Sequence, residues 1–544
     1  MLSLQRTRLL TAVSAATLLL SGCDGADSVA SPGAGSVIIN PPATTPTPPA
    51  TGTPTPSAIT AAQFAAPTTQ SGITITADEQ FAIVNAGTNN NVNGVGSVLN
   101  GVYPTSTTSL ATAQNPASLS NFFTATNFVG ALSGPNDNAF GGWTCNSTAA
   151  SFVGTTTNCS SVPAVGTGGS SAACPTGTTD DGLVATFRIC RLPTLITTSL
   201  TLPRIQGVVY RFRGQTEVGS DVGATGADTG VTLTIAAGVT LAADASEPQA
   251  DLILVNRGSR INAVGTADSP IIFTSQQNLT TGNVGDGTQG QWGGIILLGR
   301  APTGVCGTGG PNNAEGSVAT CQTAIEGVSN GRQYGGTNVN DNSGSFQYAQ
   351  IRFTGIALAD GNELQGLTLG GTGAGTTIDH VQSHNSADDG IEIFGGTTNI
   401  KYFVVTGADD DGFDIDNGYR GFMQFIIAAQ KASGATTDSF STEIDSNGNE
   451  DLLPRTFGRY VNFTFLQTAR TANGDGTTAG AIRQRGGSDM LYVNGIVKSV
   501  VPCLNLVAGG PSASDRSTIR AANAALQDQG PPVFNSVYFA CNGR

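Results

Sequence analysis

Short apolar runs rich in β-branched residues recur along the chain from about residue 200 to residue 500, and glycines separate them. Within many runs apolar and polar residues alternate, which is typical of strands because successive side chains point to opposite faces. Runs at this spacing predict either a β-sandwich or a parallel β-helix. The 73 glycines and the scarcity of Lys, Glu and Met argue against a helical protein.

An internal repeat favours the β-helix. The segments TIDHVQSHNSADDGIEIFGGTT (377–398) and NIKYFVVTGADDDGFDIDNGYR (399–420) align over 22 residues without a gap. Each coil of a solenoid contacts only its neighbours, so its side chains can repeat from coil to coil, whereas a sandwich has no reason to repeat them. The unit is also too short for a pair of helices. We therefore predict an all-β, parallel β-helix with about 22 residues per coil.

Several longer stretches resemble a known group of proteins. Among them are SRINAVGTADSPIIFTS, GQWGGIILLGRAPTG, LTLGGTGAGTTIDHVQSHNSADDGIEIFGGT and GADDDGFDIDNGYRG. They resemble a widespread group of bacterial exported proteins and lipoproteins, over roughly residues 120–490. The resemblance implies a right-handed parallel β-helix with a pectate-lyase-like fold, and it implies export. It supplies no function, because one fold hosts many activities.

The N-terminus predicts a lipid anchor. Two arginines precede an apolar stretch that ends in LSGC, which resembles a bacterial lipobox. This pattern predicts a signal peptide over 1–22 and lipidation of Cys23. Seven prolines lie between Pro41 and Pro56, so residues 23–57 should form an extended tether. We expect a cell-envelope protein, most simply at the outer membrane, that contacts the membrane only through its lipid, because no later segment is apolar for long enough to span a bilayer.

The remaining chain divides into a body and two caps. We expect an N-terminal cap region over 58–200, the β-helix over 201–500 and a C-terminal cap over 501–544, where Asp515 can cap a helix that runs through Ala525.

The chain has nine cysteines, and eight remain when the lipidated Cys23 is set aside. An even number of cysteines in an exported chain indicates disulfide bonds, which should staple both caps. Pairing between sequence neighbours would close one local loop each: Cys145–Cys159, Cys174–Cys190, Cys306–Cys321 and Cys503–Cys541.

The charge of the chain limits its partners. The formal net charge is −14 although only 11% of the residues are charged. This balance argues against nucleic acid as a partner. It also raises the question of why carboxylates concentrate in two Asp-Asp-Gly turns that are 22 residues apart. Asp388 and Asp389 occupy one turn, and Asp410 and Asp411 the next. They are candidate Ca²⁺ ligands, or else Asp-Gly is simply a turn signal.

The strands after these turns predict a ladder of charged side chains. If the isoleucines point inward, the alternating charged residues point outward. Stacking the coils then gives one column of Glu392, Asp414, Glu443 and Arg483, and a second of Phe394, Asp416, Asp445 and Arg485. Like charges about 4.8 Å apart repel. The ladder therefore needs a cation, raised pKa values or the two terminal arginines to offset the repulsion.

Three functions fit this ladder. In the first, the protein binds a glycan or a cation on the ladder, and Ca²⁺ is the candidate cation. In the second, it is a polysaccharide lyase or glycoside hydrolase whose candidate catalytic residues are Asp414, Asp416, Glu443 and Arg483, with Arg420 or Lys401 as other candidate bases. In the third, it is an accessory or scaffold lipoprotein that docks on an outer-membrane protein. We expect the two histidines, His380 and His384, to serve packing rather than catalysis.

Overall fold

The computed structural model describes residues 113–163, 171–244, 250–280, 282–307, 321–328, 330–359, 362–431, 439–446, 452–467, 480–499, 501–506, 518 and 521–541. The predicted signal peptide, tether and lipidated Cys23 lie outside these residues. Within them the protein is all-β, with three single-turn 3-10 helices at Pro116–Ser118, Gln276–Leu279 and Ala524–Leu526. No helix in this part of the chain has the length and apolar character that a membrane span requires.

The strands of the first half of the body are β1 (Thr179–Val184), β2 (Phe187–Arg191), β3 (Leu195–Ile196), β4 (Leu200–Leu202), β5 (Val208–Phe212), β6 (Gln215–Val218), β7 (Thr232–Ile235), β8 (Thr240–Ala243), β9 (Leu252–Val255), β10 (Arg260–Val264), β11 (Ile271–Ser275), β12 (Gly294–Leu298), β13 (Thr323–Ala324) and β14 (Gln333–Tyr334). Those of the second half are β15 (Gly344–Arg352), β16 (Ile356–Ala359), β17 (Asn362–Leu364), β18 (Leu367–Gly370), β19 (Thr377–His384), β20 (Ile391–Phe394), β21 (Asn399–Thr406), β22 (Phe413–Asp416), β23 (Phe422–Ala429), β24 (Thr442–Ile444), β25 (Phe457–Gln467), β26 (Ile482–Gln484), β27 (Asp489–Ser499), β28 (Leu504–Leu506) and β29 (Val533–Cys541).

Two parallel sheets form the walls of the solenoid. Sheet A has 15 strands and runs through β15, β19, β21, β23, β25 and β27, whereas sheet B has 10 strands and runs through β12, β18, β20, β22, β24 and β26. Ile378 pairs with Ile400 in sheet A, which is a step of 22 residues. The predicted parallel β-helix and its 22-residue coil are therefore confirmed.

One continuous core fills the space between the sheets. Ile391, Ile393, Phe413 and Ile415 all belong to it, so the predicted inward positions of sheet B are correct. Gln484 also points inward. Its amide donates to the carbonyl of Ser488 (2.8 Å), and its oxygen accepts from the hydroxyl of Tyr492 (3.1 Å). The buried amide is thus satisfied, as a polar group in a core must be.

The N-terminal segment 113–163 lies along the side of the solenoid rather than over its end. It crosses the outer face of sheet A, where side-chain amides of successive coils bind its backbone. Gln382 bonds both the N–H and the carbonyl of Cys145 (2.6 and 3.0 Å), and Gln424 does the same with Thr124 (2.7 and 2.8 Å). At the downstream end, Asn494 bonds both groups of Gln114 (2.8 Å each). Amide side chains substitute here for the missing partner strand.

The solenoid extends further than predicted at both ends. The hairpin β1–β2 is antiparallel, but β2 already pairs in parallel with β5, and β29 still pairs in parallel with β27. Coils therefore form part of both expected cap regions. The expected C-terminal helix is wrong in its described part: residues 521–523 are not helical, and only one 3-10 turn follows, at Ala524–Leu526. Asp515 lies outside the described residues.

The predicted disulfides agree with the structure wherever it describes them. The bonds Cys145–Cys159, Cys174–Cys190 and Cys306–Cys321 are present. Cys503 is disulfide-bonded too. The side chain of Cys541, its expected partner, lies outside the described residues. The first bond lies within the N-terminal segment and closes the loop that rests on sheet A, where Gln382 bonds the backbone of Cys145.

Candidate functional site

The outer face of sheet B carries the predicted charged columns in the predicted register. Glu392 pairs with Asp414, Asp414 with Glu443, and Glu443 with Arg483. The neighbouring column begins with Phe394 beside Asp416. Because the side chains of a strand alternate and the coils stack in register, the ladder follows directly from the repeat.

The ladder is buried, whereas the sequence suggested an open outer face. Glu392 is 4% exposed and Asp414 is 7% exposed, and their column neighbours are covered to a similar degree. Part of the cover comes from inserted segments that carry Glu326, Tyr334 and Leu364. A buried carboxylate is costly unless a charge or a hydrogen bond compensates it. Because the ladder is buried, its negative charges require compensation by protons, cations or arginines.

The Asp-Asp-Gly turns stack one coil on the next. One oxygen of Asp389 accepts from the N–H of Asp411 (2.8 Å), and one oxygen of Asp411 accepts from the N–H of Phe440 (2.5 Å). The turn glycines are needed for close approach, because a Cβ on Gly390 would lie 2.2 Å from a methyl of Val405, and one on Gly412 would lie 2.5 Å from the carbonyl of Ser441. The second aspartate of each turn thus has a structural role.

Five carboxylates converge where strands β20 and β22 begin. We call them the carboxylate pocket: Asp388, Asp389, Glu392, Asp410 and Asp414. Oxygens of Asp388, Asp389 and Asp410 lie within 4.8 Å of one another, and so do oxygens of Asp389, Glu392 and Asp414. Among the described residues, Oε2 of Glu392 and Oδ1 of Asp414 are buried without a hydrogen-bond partner. The pocket therefore offers oxygen ligands that the protein does not use itself.

Burial and mutual repulsion strongly affect these carboxyl groups. Burial, and then the negative charge of Glu326, raises the pKa of Glu392 well above its usual range. Burial, and then neighbouring carboxylates such as Asp416, does the same to the pKa of Asp414. The pKa of Asp389 is raised by burial and by Asp388. Without a counter-charge, the environment of the pocket therefore favours the protonated over the charged form of these groups.

Arginines compensate the downstream end of the ladder. Arg485 donates to one oxygen of Glu443 at 2.5 Å and Arg483 to the other at 3.3 Å, while Arg485 also lies 3.6 Å from Asp445. Burial lowers the pKa of Arg485, but Glu443 and Asp445 outweigh this effect and raise it well above its usual range. An arginine in this state does not release a proton readily, so the geometry does not favour its use as a catalytic base.

Two further acidic residues near the pocket were missed by sequence reasoning. Glu326 lies beside Glu392 and accepts from the amide of Gln365 (2.6 Å), and burial raises its pKa to about 7. Glu363, in strand β17, lies close enough for its negative charge to contribute to this raised pKa of Glu326. Both belong to insertions between coils, where no repeat marks a position. In the sequence, these two residues are marked only as acidic side chains within insertions of a chain that has few charged residues.

The histidines occupy packing positions, as expected. His380 is stacked between Tyr348 and Tyr402, with ring centroids 4.3 and 4.2 Å away. His384 is buried, and Thr406 lies 2.9 Å from its Nδ1. Burial lowers the pKa of His384 to about 3, so this ring is neutral. Neither histidine reaches the carboxylate pocket.

A comparison of the chain with models of known protein families agrees with the described fold. The model of a family described as pectate-lyase like beta helix domain matches residues 210–528, which is more than half of the chain. The chain belongs to this family. No curated protein and no solved structure matches it. Family membership accounts for the pectate-lyase-like β-helix, and the family's description does not assign a role to the carboxylate pocket. What the pocket does must therefore be inferred from its own chemistry.

Proposed function

We propose that this pectate-lyase-like β-helix protein is a cell-envelope lipoprotein that binds a divalent cation in the carboxylate pocket. The supporting observation is the cluster of Asp389, Glu392 and Asp414, each of which offers an oxygen within 4.8 Å of the other two. Among the described residues, Oε2 of Glu392 and Oδ1 of Asp414 are buried and have no hydrogen-bond partner. Ca²⁺ is the best candidate, because it accepts oxygen ligands in irregular geometry and takes several carboxylates at once. The lipid anchor rests on the LSGC pattern at Cys23.

Burial favours an ion over a sugar as the direct ligand. With Glu392 and Asp414 almost fully covered, the pocket suits an ion better than a pyranose ring. An acidic glycan could still contact a bound cation through a single carboxylate. We propose glycan binding only through such a contact. Lyase or hydrolase chemistry is less favoured, since Arg483 and Arg485 both bond Glu443.

Calcium titration of metal-stripped protein tests the proposal. We expect saturable binding of CaCl₂ in isothermal titration calorimetry, with a Kd on the order of micromolar to millimolar. Asp414→Asn should weaken this binding by roughly tenfold or more, because one charged ligand is lost while the side-chain shape is kept. Glu392→Gln should act in the same direction.

The control is Asp268→Asn, which makes the same chemical change at an exposed aspartate between β10 and β11. This variant should bind calcium like the parent protein. If the parent shows no saturable binding and chelation leaves its melting temperature unchanged, the cation proposal is wrong. The accessory or scaffold role then becomes the better hypothesis.

A further inference from the structure

Three arginines meet at the other end of the same coils, at the corner where the chain passes from sheet B to sheet A. Arg420 lies in the turn after β22, Arg455 in the connection after β24, and Arg459 in β25. Phe457 lies between two of them: its ring centroid is 3.6 Å from the guanidinium carbon of Arg459 and 5.9 Å from that of Arg420. This corner is separate from the carboxylate pocket, which lies at the start of the strands.

The three arginines differ in how close their nearest described carboxylates lie. Arg455 lies 3.6 Å from Asp489 and 3.5 Å from Asp528. Among the described residues, neither Arg420 nor Arg459 has a carboxylate oxygen within 4.0 Å. The negative charge of Asp489 acts on both Arg420 and Arg459 from a greater distance, whereas Asp489 lies 3.6 Å from Arg455. The corner thus holds more positive than negative charge in its described part.

The guanidinium groups of Arg420 and Arg459 also keep donors for which the described part of the chain supplies no acceptor. A guanidinium carries five N–H donors. Arg459 donates to the carbonyl of Phe457 (2.9 Å), and Arg420 donates to the side chain of Gln527. Arg420 is only 6% exposed, and its Nε is buried without an acceptor among the described residues. Burial, and then the positive charge of Arg420, lower the pKa of Arg459 to about 9.

Two guanidinium groups that repel each other near an apolar ring require a counter-charge. Phe457 covers a face of Arg459 and leaves the N–H edge of the group for an acceptor in its plane, and such an edge matches the oxygens of a carboxylate, sulfate or phosphate. We infer that Arg420 and Arg459 form a binding site for an oxyanion at this corner. Gln527 positions Arg420, and Phe457 positions Arg459. Because Arg459 and Phe457 are only half-buried, the site opens to solvent.

Anion binding can be measured independently of the cation proposal. We would titrate the full-length protein with inorganic phosphate by calorimetry, with EDTA present and at constant ionic strength set by sodium chloride. We expect saturable phosphate binding with a Kd on the order of 1 mM, and a loss of roughly tenfold or more in Arg459→Gln. Arg459 is preferred to Arg420 for this test, since it is less buried and its loss should leave the fold intact.

The matched control is Arg260→Gln, because Arg260 already bonds Asp228 at 2.5 Å. This variant should bind phosphate like the parent. A second titration with a short oligomer of a uronic acid distinguishes the source of the anion: tighter binding of the oligomer indicates a glycan carboxylate, and tighter binding of phosphate indicates a free inorganic anion. Absence of saturable binding of both ligands, or equal losses in the Arg459 and Arg260 variants, would overturn the inference.

Discussion

The upstream and downstream parts of one column on sheet B have the same geometry and opposite chemistry. The column runs through Leu254 and Ile296, then Thr368, and then Glu392 and Asp414. Its members are all nearly fully buried. Upstream, Leu254 and Ile296 pack with Ile325 and Leu364 of the covering segments. Downstream, carboxylates lie under comparable cover.

The apolar and the acidic parts of this covered sheet face affect the stability of the fold in opposite directions. The apolar part stabilises the fold, because each buried aliphatic side chain contributes about 1.5–3 kcal/mol. The acidic part opposes folding unless protons, a cation or arginines compensate its charge. The same backbone therefore supplies stability in one half and, as we propose, a cation-binding site in the other.

The largest expected effect comes from exchanging the two chemistries. Ile296→Asp should destabilise the protein by at least about 4 kcal/mol, since it buries an unpaired charge among aliphatic side chains. In EDTA, Asp414→Leu should change the stability by less than about 1 kcal/mol or increase it, because a buried charge is removed. Urea unfolding of both variants measures the difference. Equal losses of unfolding free energy in the two variants would show that the buried carboxylates do not destabilise the fold.

A smaller effect is expected at the arginine end of the ladder. Glu443→Gln should cost about 3 kcal/mol, because it removes the carboxylate that pairs with both Arg483 and Arg485. Asp445→Asn should cost less, since Arg485 lies 3.6 Å from Asp445 but 2.5 Å from Glu443. The comparison uses urea unfolding at pH 7. A larger loss in the Asp445 variant would contradict this assignment of the ion pairs.

The smallest effect, counted for one group over one pH unit, is a dependence of stability on pH. The folded-state pKa values of Glu392, Asp414 and Glu326 are raised, so the folded protein holds protons that the unfolded chain releases. In EDTA, stability should be greatest near pH 4 and fall as the pH rises to about 7 and beyond, by up to about 1.4 kcal/mol per pH unit for each titrating group.

Calcium should reduce this fall, because it replaces the protons as the counter-charge. Melting temperatures at pH 5 and pH 8, with EDTA or with CaCl₂, provide the measurement. Asp489, whose pKa burial raises to about 7, lies at the arginine corner, so its share of the fall should persist with calcium. A melting temperature that is independent of both pH and calcium would mean that the ladder carries no net electrostatic cost.

Much of the fold and of the ladder could be predicted from local pattern. The 22-residue repeat predicted the coil, and the alternation around Ile391 and Phe413 predicted which side chains face outward. Both are consequences of strand geometry and hold for any stacked coils. The path of residues 113–163 could not be predicted, because the amides that bind it, such as Gln382 and Gln424, lie hundreds of residues away in the sequence.

The sequence by itself determined the parallel coil, the order of charges in each column and the local disulfides, because these depend on spacing along the chain. The tertiary structure decided that the charged columns are buried, since the covering residues Glu326 and Tyr334 come from insertions outside the repeat. It also brought Arg420 and Arg459 together from different coils. Burial changes the meaning of a charge: a carboxylate in water needs no partner, whereas one beneath other side chains requires a proton, a cation or an arginine.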